Sequence, residues 1–300
     1  IYFVAVDAYG SELWSYDGSD VTRISDINMG SQSGHMVVYD DGSGDALYFR
    51  GSDDGSDYDL WRYTGSGSPT LVDELGTASM TYGELVLFGG SIYFVAMDAS
   101  GTELWAYNGT SAARVTDINT AGHSGVGELT VLGTSIYFRA TDDGSEYELW
   151  QFDGSPATIA ADVDYEIDGS DTQSSYPMAL CSWGGDLYFS AQTASYGMEL
   201  YRYDGAAVTL AADIAPGASE SSQPMDTTAF SLGVICAASP GMSEPIDVEP
   251  WYYNGATATM AADINPAGAS YPGYFCEYNG ALYFSATDDG ADYELWRLEY

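Results

Sequence analysis

The chain has 300 residues and a formal net charge of −38, because 45 acidic residues stand against only 7 basic ones. A surface this negative repels phosphate backbones and anionic membranes, which excludes nucleic-acid binding and direct membrane insertion. No apolar run approaches the roughly 18 residues of a membrane-spanning helix, and the first residues show no signal-peptide pattern. Hydrophobic residues make up 45% of the chain, enough for a large folded core rather than a disordered chain.

A short apolar motif, Ile-Tyr-Phe or a variant of it, recurs seven times along the chain. Its copies lie at residues 1–3, 47–49, 92–94, 136–138, 187–189, 234–236 and 282–284. After each copy comes an acidic residue followed by Leu-Trp or a variant, then in most repeats an Asp-Gly or Asn-Gly turn and a short strand. Runs of β-branched and aromatic residues separated by such turns predict four antiparallel strands in each repeat, with no helix. Repetition of this unit is typical of a β-propeller.

The segment Glu103-Leu104-Trp105 followed by Asn108-Gly109-Thr110 resembles the motif of the ELWxxDGT-repeat proteins. The resemblance extends over the whole chain, and it implies a propeller from a large secreted or surface-attached protein, without defined catalytic residues. A looser similarity to kelch repeats suggests the order of strands within each blade. It places the strand near Leu85 innermost (A), residues 92–94 next (B), residues 104–105 third (C) and residues 114–118 outermost (D).

The strand count predicts one domain, residues 1–300, with six full repeats and a partial seventh at residues 282–300. Six A, seven B, seven C and six D strands favour an all-β, seven-bladed propeller of four-stranded antiparallel blades with an incomplete closing blade. The alternative is a six-bladed propeller with residues 282–300 as a C-terminal overhang. We expect the missing A and D strands to come from upstream residues or from a neighbouring molecule, since unpaired strand edges invite pairing.

The charged residues recur at fixed places in the repeat. All seven basic residues are arginines on predicted strands, where we expect them to pair with carboxylates. The acids before Leu-Trp recur in every repeat, so we expect them to accept hydrogen bonds from backbone N–H groups of turns and neighbouring blades. The three cysteines are interpreted as buried thiols, with a Cys236–Cys276 disulfide as the alternative.

A second set of acids lies in predicted loops, which we expect on one side of the propeller. The B–C loops carry three similar motifs: Asp53, Asp54, Asp57 and Tyr58; Asp142, Asp143, Glu146 and Tyr147; and Asp288, Asp289, Asp292 and Tyr293. The longest D–A loop carries Asp164, Glu166, Asp168 and Asp171. Clustered carboxylates suit Ca²⁺, so this loop is the predicted calcium site, with a solvated acidic loop as the alternative. The other three loops are candidate cation or glycan sites, because their tyrosines could stack on sugar rings, or else simple turns.

Other chemical motifs are sparse. Asn108 fits an N-glycosylation acceptor within a hairpin turn. The chain has no Gly-x-Ser-x-Gly elbow, phosphate loop or Cys-x-x-Cys motif, and His35 and His123 have no evident partners in sequence.

These features predict a non-catalytic, extracellular or cell-surface structural or adhesive module that is not an enzyme. It would assemble into filaments and bind Ca²⁺. The alternatives are a lectin-like, carbohydrate-binding propeller and a glycan-cleaving enzyme with paired carboxylates. The expected partners are other copies of the chain, neighbouring surface proteins or glycans.

Overall fold

A computed structural model shows the chain as an all-β protein with the β-propeller fold. The structure describes residues 1–27, 29, 36–73, 75–76, 78–169, 174–217, 220–241 and 246–299. Within these ranges 26 strands form seven antiparallel sheets, and each sheet is built from strands that are consecutive in the chain. No helix in the described part of the chain is long and apolar enough to cross a membrane.

The first three sheets lie in the N-terminal part of the chain. The first sheet contains β1 (Tyr2–Asp7), β2 (Gly10–Tyr16) and β3 (Val21–Arg23). The second contains β4 (Val37–Asp40), β5 (Asp45–Gly51), β6 (Asp59–Tyr63) and β7 (Thr70–Asp73). The third contains β8 (Ser79–Phe88), β9 (Ser91–Asp98), β10 (Gly101–Tyr107) and β11 (Ala112–Arg114).

The remaining four sheets follow in the same manner. The fourth contains β12 (Gly127–Leu132), β13 (Ser135–Ala140), β14 (Glu148–Phe152) and β15 (Thr158–Ala161). The fifth contains β16 (Met178–Trp183), β17 (Asp186–Thr193), β18 (Gly197–Tyr203) and β19 (Val208–Ala212). The sixth contains β20 (Met225–Phe230), β21 (Gly233–Ala238), β22 (Glu249–Tyr253) and β23 (Ala258–Met260). The seventh contains β24 (Gly273–Tyr278), β25 (Ala281–Ala286) and β26 (Glu294–Glu299).

The sheets confirm the predicted strand pattern. The five middle sheets have four strands in the order A to D, whereas the first has three strands equivalent to B, C and D and the last has three equivalent to A, B and C. The prediction of seven blades is therefore confirmed, with one A and one D strand unfilled in the part of the chain that the structure describes, and the six-bladed alternative is wrong. By its internal contacts the chain divides into two compact units. The first comprises residues 1–131, 140–144 and 154–157, and the second residues 132–139, 145–153 and 158–300.

The leucine of the repeated Leu-Trp motif lies on an inner strand in the first five sheets. It is fully buried in five sheets, at Leu13, Leu60, Leu104, Leu149 and Leu200. In β26 the same position, Leu295, is 78% exposed, since no fourth strand lies beside β26 in the described residues. Burying a leucine side chain stabilises a fold by roughly 1.5–3 kcal/mol. Each of the five buried leucines contributes this stabilisation, whereas the exposed Leu295 does not.

Pairs of tyrosine rings join neighbouring sheets within each unit. One ring comes from the B strand of a sheet and the other from the end of the C strand of the next sheet. In the first unit the pairs are Tyr2–Tyr63 and Tyr48–Tyr107, with ring centroids 5.8 and 6.0 Å apart. In the second unit they are Tyr137–Tyr203 and Tyr188–Tyr253, at 5.8 and 5.6 Å. These separations suit tilted and edge-to-face aromatic contacts.

Two predictions from the sequence are wrong at the level of local structure. The segment Val163–Asp168 is a short α-helix, α1, rather than a loop. The side chain of Asp162 caps its N-terminus by accepting a hydrogen bond from the Tyr165 N–H, and Gly169 ends it with a left-handed backbone at φ 70°. The three thiols are also not all buried, because Cys276 is exposed, and none forms a disulfide.

Candidate functional site

In several sheets, the carboxylate near the start of the C strand anchors the loop that follows the D strand. Glu199, fully buried, accepts hydrogen bonds from the Ile214 N–H at 2.7 Å and the Ser222 N–H at 2.9 Å. The Ser222 hydroxyl donates to the same carboxylate at 2.6 Å. The predicted structural role of these acids is therefore confirmed in this sheet, and the contact fixes the D–A loop to the core.

The same contact recurs in other sheets. Glu249 accepts hydrogen bonds from the Ile264 N–H at 2.9 Å and the Ser270 hydroxyl at 2.7 Å. Glu148 accepts from the Val163 N–H and from the Ser175 hydroxyl. Burial raises the pKa of Glu148 to about 7, even though the hydrogen bonds from Ser175 act in the opposite direction. Sequence reasoning missed these serines, although a serine that recurs after each Asp-Ile segment was a visible signal.

The acidic B–C loops use part of their charge to make their own turns. In the second sheet, Asp54 accepts hydrogen bonds from the N–H and the hydroxyl of Ser56 at 2.8 and 2.7 Å. The backbone bond from Ser56 is the largest of the causes that lower the pKa of Asp54 to about 2. In the seventh sheet Asp289 accepts from the Ala291 N–H at 2.8 Å. The second aspartate of these two motifs is therefore a turn residue that stays ionised.

The other acids of these loops lie at the surface. In the first unit, Asp53, Asp57, Asp142 and Asp143 are exposed. In the second unit, Glu146, Asp288 and Asp292 are exposed. Each unit therefore presents negatively charged B–C loops to solvent, as the sequence predicts.

The loop tyrosines contact arginines. The Arg50 guanidinium carbon lies 3.4 Å from the centre of the Tyr58 ring, and its Nε donates a hydrogen bond to the Met80 carbonyl at 3.0 Å. The Arg139 guanidinium lies 5.8 Å from the Tyr147 ring. In the seventh sheet the equivalent of these arginines is Ser285, and Tyr293 is 59% exposed. An arginine therefore covers one side of Tyr58, which argues against sugar stacking on that side.

Most of the other arginines pair with carboxylates, as predicted. Arg23 lies 3.1 Å from Glu12 and 2.6 Å from Asp26. Arg23 also lies 3.5 Å from Asp7, and further pairs are Arg62–Asp41, Arg114–Asp98, Arg114–Asp117, Arg202–Asp186 and Arg297–Glu299. For Arg50 the contacts described are carbonyl oxygens and the Tyr58 ring instead, so the predicted cross-strand ion pair is replaced there by stacking.

The described acids of the predicted calcium loop contact two separate backbone segments. Glu166 accepts a hydrogen bond from the Val208 N–H at 2.7 Å, and Asp168 accepts one from the Ala194 N–H at 2.7 Å. Asp164 is fully buried in α1, and it accepts a longer hydrogen bond, 3.4 Å, from the same Ala194 N–H. Asp171 lies outside the described residues. The helix therefore directs at least two of these side chains to separate backbone groups.

Within the described ranges, no group of three or more His, Cys, Asp or Glu side chains is arranged to hold a metal ion. Calcium binding at residues 164–171 stays a prediction. If it is correct, Ca²⁺ raises the melting midpoint relative to a chelator, since an ion bound only by the folded state stabilises it. The rise should disappear in Asp168→Asn and persist in Asp17→Asn, whose carboxylate caps a hairpin turn of the first unit. An unchanged midpoint in the unsubstituted protein contradicts the prediction.

Asn108 lies in an exposed hairpin turn, as predicted. Its side-chain oxygen accepts hydrogen bonds from the Thr110 and Ser111 N–H groups at 2.9 and 3.1 Å. The turn interpretation is therefore confirmed, and glycosylation at this residue stays a prediction.

The chain resembles the propellers of peptidases. No family model and no curated relative matches it. Among solved structures, it is similar to puromycin hydrolase, with 14% identity and a TM-score of 0.65 over 99% of this chain. It is also similar to a puromycin-hydrolyzing peptidase of Mycobacterium tuberculosis, with 11% identity and a TM-score of 0.66 over 96% of this chain. These matches cover 50% and 47% of the two enzymes, so the chain spans about half their length.

A third similar structure is the β-propeller domain of the Trilobed protease from Pyrococcus furiosus. It shares 11% identity with this chain and has a TM-score of 0.58, over 96% of this chain and 83% of that one. At such identities the similarities show the propeller fold alone.

The comparisons correct two predictions from the sequence. The sequence predicts a non-catalytic structural or adhesive module, and it predicts that the chain is not an enzyme. Both predictions are wrong, because the similar structures are propellers of peptidases and hydrolases. The resemblance to the ELWxxDGT-repeat proteins rests on motifs that these comparisons do not test.

Proposed function

We propose that the chain is the propeller part of a peptidase-class hydrolase and that it binds cationic peptide substrates. The observation that carries the proposal is the fold match, which covers nearly all of this chain and about half of the named hydrolases. In this proposal the propeller binds and admits substrate, and bond cleavage falls to residues outside it.

The charge of the chain supports the choice of a cationic substrate. The net charge is −38, and the B–C loops of each unit present exposed carboxylates. A surface with one sign of charge raises the local concentration of oppositely charged ligands and accelerates their binding, and salt weakens this effect. A peptide with lysines and a free amino terminus has the complementary charge.

The test is a binding titration with two matched fluorescent peptides, one alternating Ala and Lys and the other alternating Ala and Glu. We expect saturable binding of the Lys peptide at low salt that weakens at least tenfold by 0.5 M NaCl, and no binding of the Glu peptide. The double variant Asp53→Asn, Asp57→Asn should weaken binding, because both carboxylates are exposed. Asp17→Asn is the control, since Asp17 caps a C–D hairpin turn away from the B–C loop motifs. Equal binding of the two peptides, or none, contradicts the proposal.

An extracellular or cell-surface location and partners among neighbouring surface proteins, glycans or other copies of the chain stay predictions from the sequence. A propeller of a secreted peptidase would reconcile that location with the proposed function.

A further inference from the structure

Within the second unit, the contact between the sixth and seventh sheets departs from the tyrosine pairs that join the fourth to the fifth sheet and the fifth to the sixth. The second-strand tyrosine of the repeat is replaced by Ile235 in β21, and the aromatic residue that ends the third strand is replaced by Leu298 in β26. The corresponding contact between the fifth and sixth sheets is the ring pair Tyr188–Tyr253. Both rings of the sixth–seventh contact are therefore absent, and two smaller aliphatic side chains take their places.

A pocket of about 270 Å³, partly open to solvent and lined mainly by apolar side chains, lies at this contact. Its lining includes both replacing residues, Ile235 and Leu298, together with Phe230, Tyr252 and Met260. Phe230 and Ile235 are buried, so the inner wall belongs to the core. The hydroxyl of Tyr252 donates a hydrogen bond to the Leu232 carbonyl at 3.0 Å, which satisfies the polar group of that ring.

We propose that this cavity binds a small, uncharged ligand that carries one aromatic ring. The repeat indicates the occupant, because aromatic rings fill the equivalent contact at four other places in the described residues. Apolar cavities of about 150 Å³ stay dry and accept a benzene ring, so 270 Å³ admits a ring with a substituent. The wall offers the rings of Phe230 and Tyr252, with centroids 5.5 Å apart, for edge-to-face contact.

The chemistry of the lining sets the ligand class. An apolar wall disfavours a charged group, because a carboxylate would lose its hydration without gaining an ion pair there. The rim carries the carboxylate of Glu299, which further disfavours an anion. The inference does not depend on the proposed peptidase role, since it rests on the repeat and on the cavity in the second unit alone.

The test uses p-cresol, the ring of a tyrosine side chain, in ligand-observed NMR with the 300-residue protein. We expect saturable binding of p-cresol, and binding of 4-methylbenzoate that is at least tenfold weaker. Leu298→Tyr restores the ring that the repeat has at this position, so it should fill the cavity and weaken p-cresol binding at least tenfold. It should also raise the melting midpoint, because it replaces empty space with packed atoms.

Leu295→Tyr is the matched control, since Leu295 lies on the same strand and is 78% exposed. It should leave p-cresol binding within twofold of the unsubstituted protein. Met260→Phe is a second filling variant from another strand, in case Leu298→Tyr does not fold. Failure of p-cresol to bind the unsubstituted protein, or equal binding to a folded filling variant, overturns the proposal.

Discussion

Replacing Glu199 with alanine should lower the free energy of unfolding by about 3 kcal/mol or more. The substitution removes the acceptor of the Ile214 N–H, the Ser222 N–H and the Ser222 hydroxyl, all of them buried. A buried donor without an acceptor costs roughly 1–3 kcal/mol, and the cavity left by the side chain adds to the loss. Urea unfolding followed by tryptophan fluorescence measures the effect as a fall in the midpoint.

The repeat itself supplies the control for this prediction. Glu294 stands at the same repeat position but is exposed, so Glu294→Ala should change the free energy of unfolding by less than about 0.5 kcal/mol. Glu199→Gln should lie between the two, because the amide oxygen still accepts hydrogen bonds while the carboxylate charge is lost. Similar losses in Glu199→Ala and Glu294→Ala would show that the buried contacts do not stabilise the fold.

The spacing of these contacts explains why the acid recurs. In five sheets the acid accepts a hydrogen bond from a backbone N–H that lies 15 residues later, at residues 27, 118, 163, 214 and 264. A third strand, a tight turn and a fourth strand occupy the interval. The acid therefore fixes the length of the hairpin and the start of the D–A loop, and that loop positions the next sheet in the chain.

Much of the fold could be predicted from the sequence because the repeat shows each strand several times. The Ile-Tyr-Phe and Leu-Trp motifs mark the second and third strands, and both Leu104 and Leu149 are fully buried as a central strand requires. Helix α1 was missed because six residues are too few to show a helical period. Its capping residues, Asp162 and Gly169, were nevertheless visible in the sequence.

The site was less predictable because its contacts join segments that are far apart in sequence. The acids at 166 and 168 resemble a calcium loop when they are taken alone, but the structure gives them the N–H groups of Val208 and Ala194. The cavity at Ile235 and Leu298 required knowing which strands are neighbours. A single aromatic residue that is replaced in one repeat does not indicate a cavity. Only the structure shows that Ile235 and Leu298 replace the two members of one ring pair.

Stability should fall as the pH rises from about 5 to 8. The pKa of Glu148 is about 7 in the folded protein against an ordinary value of 4.5, and burial also raises the pKa values of Glu199 and Glu249. The folded state therefore holds these protons more tightly than the unfolded chain does. The resulting stability is complete below the unfolded pKa and is lost as the pH rises through the folded value. For Glu148 alone, the difference corresponds to roughly 3 kcal/mol.

The free energy of unfolding should be greatest near pH 5, because aspartates with lowered pKa values make it fall again at lower pH. The pKa of Asp54 is lowered from 3.8 to about 2, so the stability from its turn is present above the higher value and is lost as the pH falls between the two.

Urea unfolding at several pH values in 0.5 M NaCl isolates the buried acids, since this salt screens the long-range repulsion of a −38 chain. Glu148→Gln, which imitates the protonated acid, should flatten the profile between pH 5 and 8. Glu294→Gln should leave the profile unchanged, because that acid is exposed. If the stability of the unsubstituted protein instead stays constant between pH 5 and 8, the buried glutamates are ionised throughout, and their hydrogen bonds outweigh the cost of burying the charge.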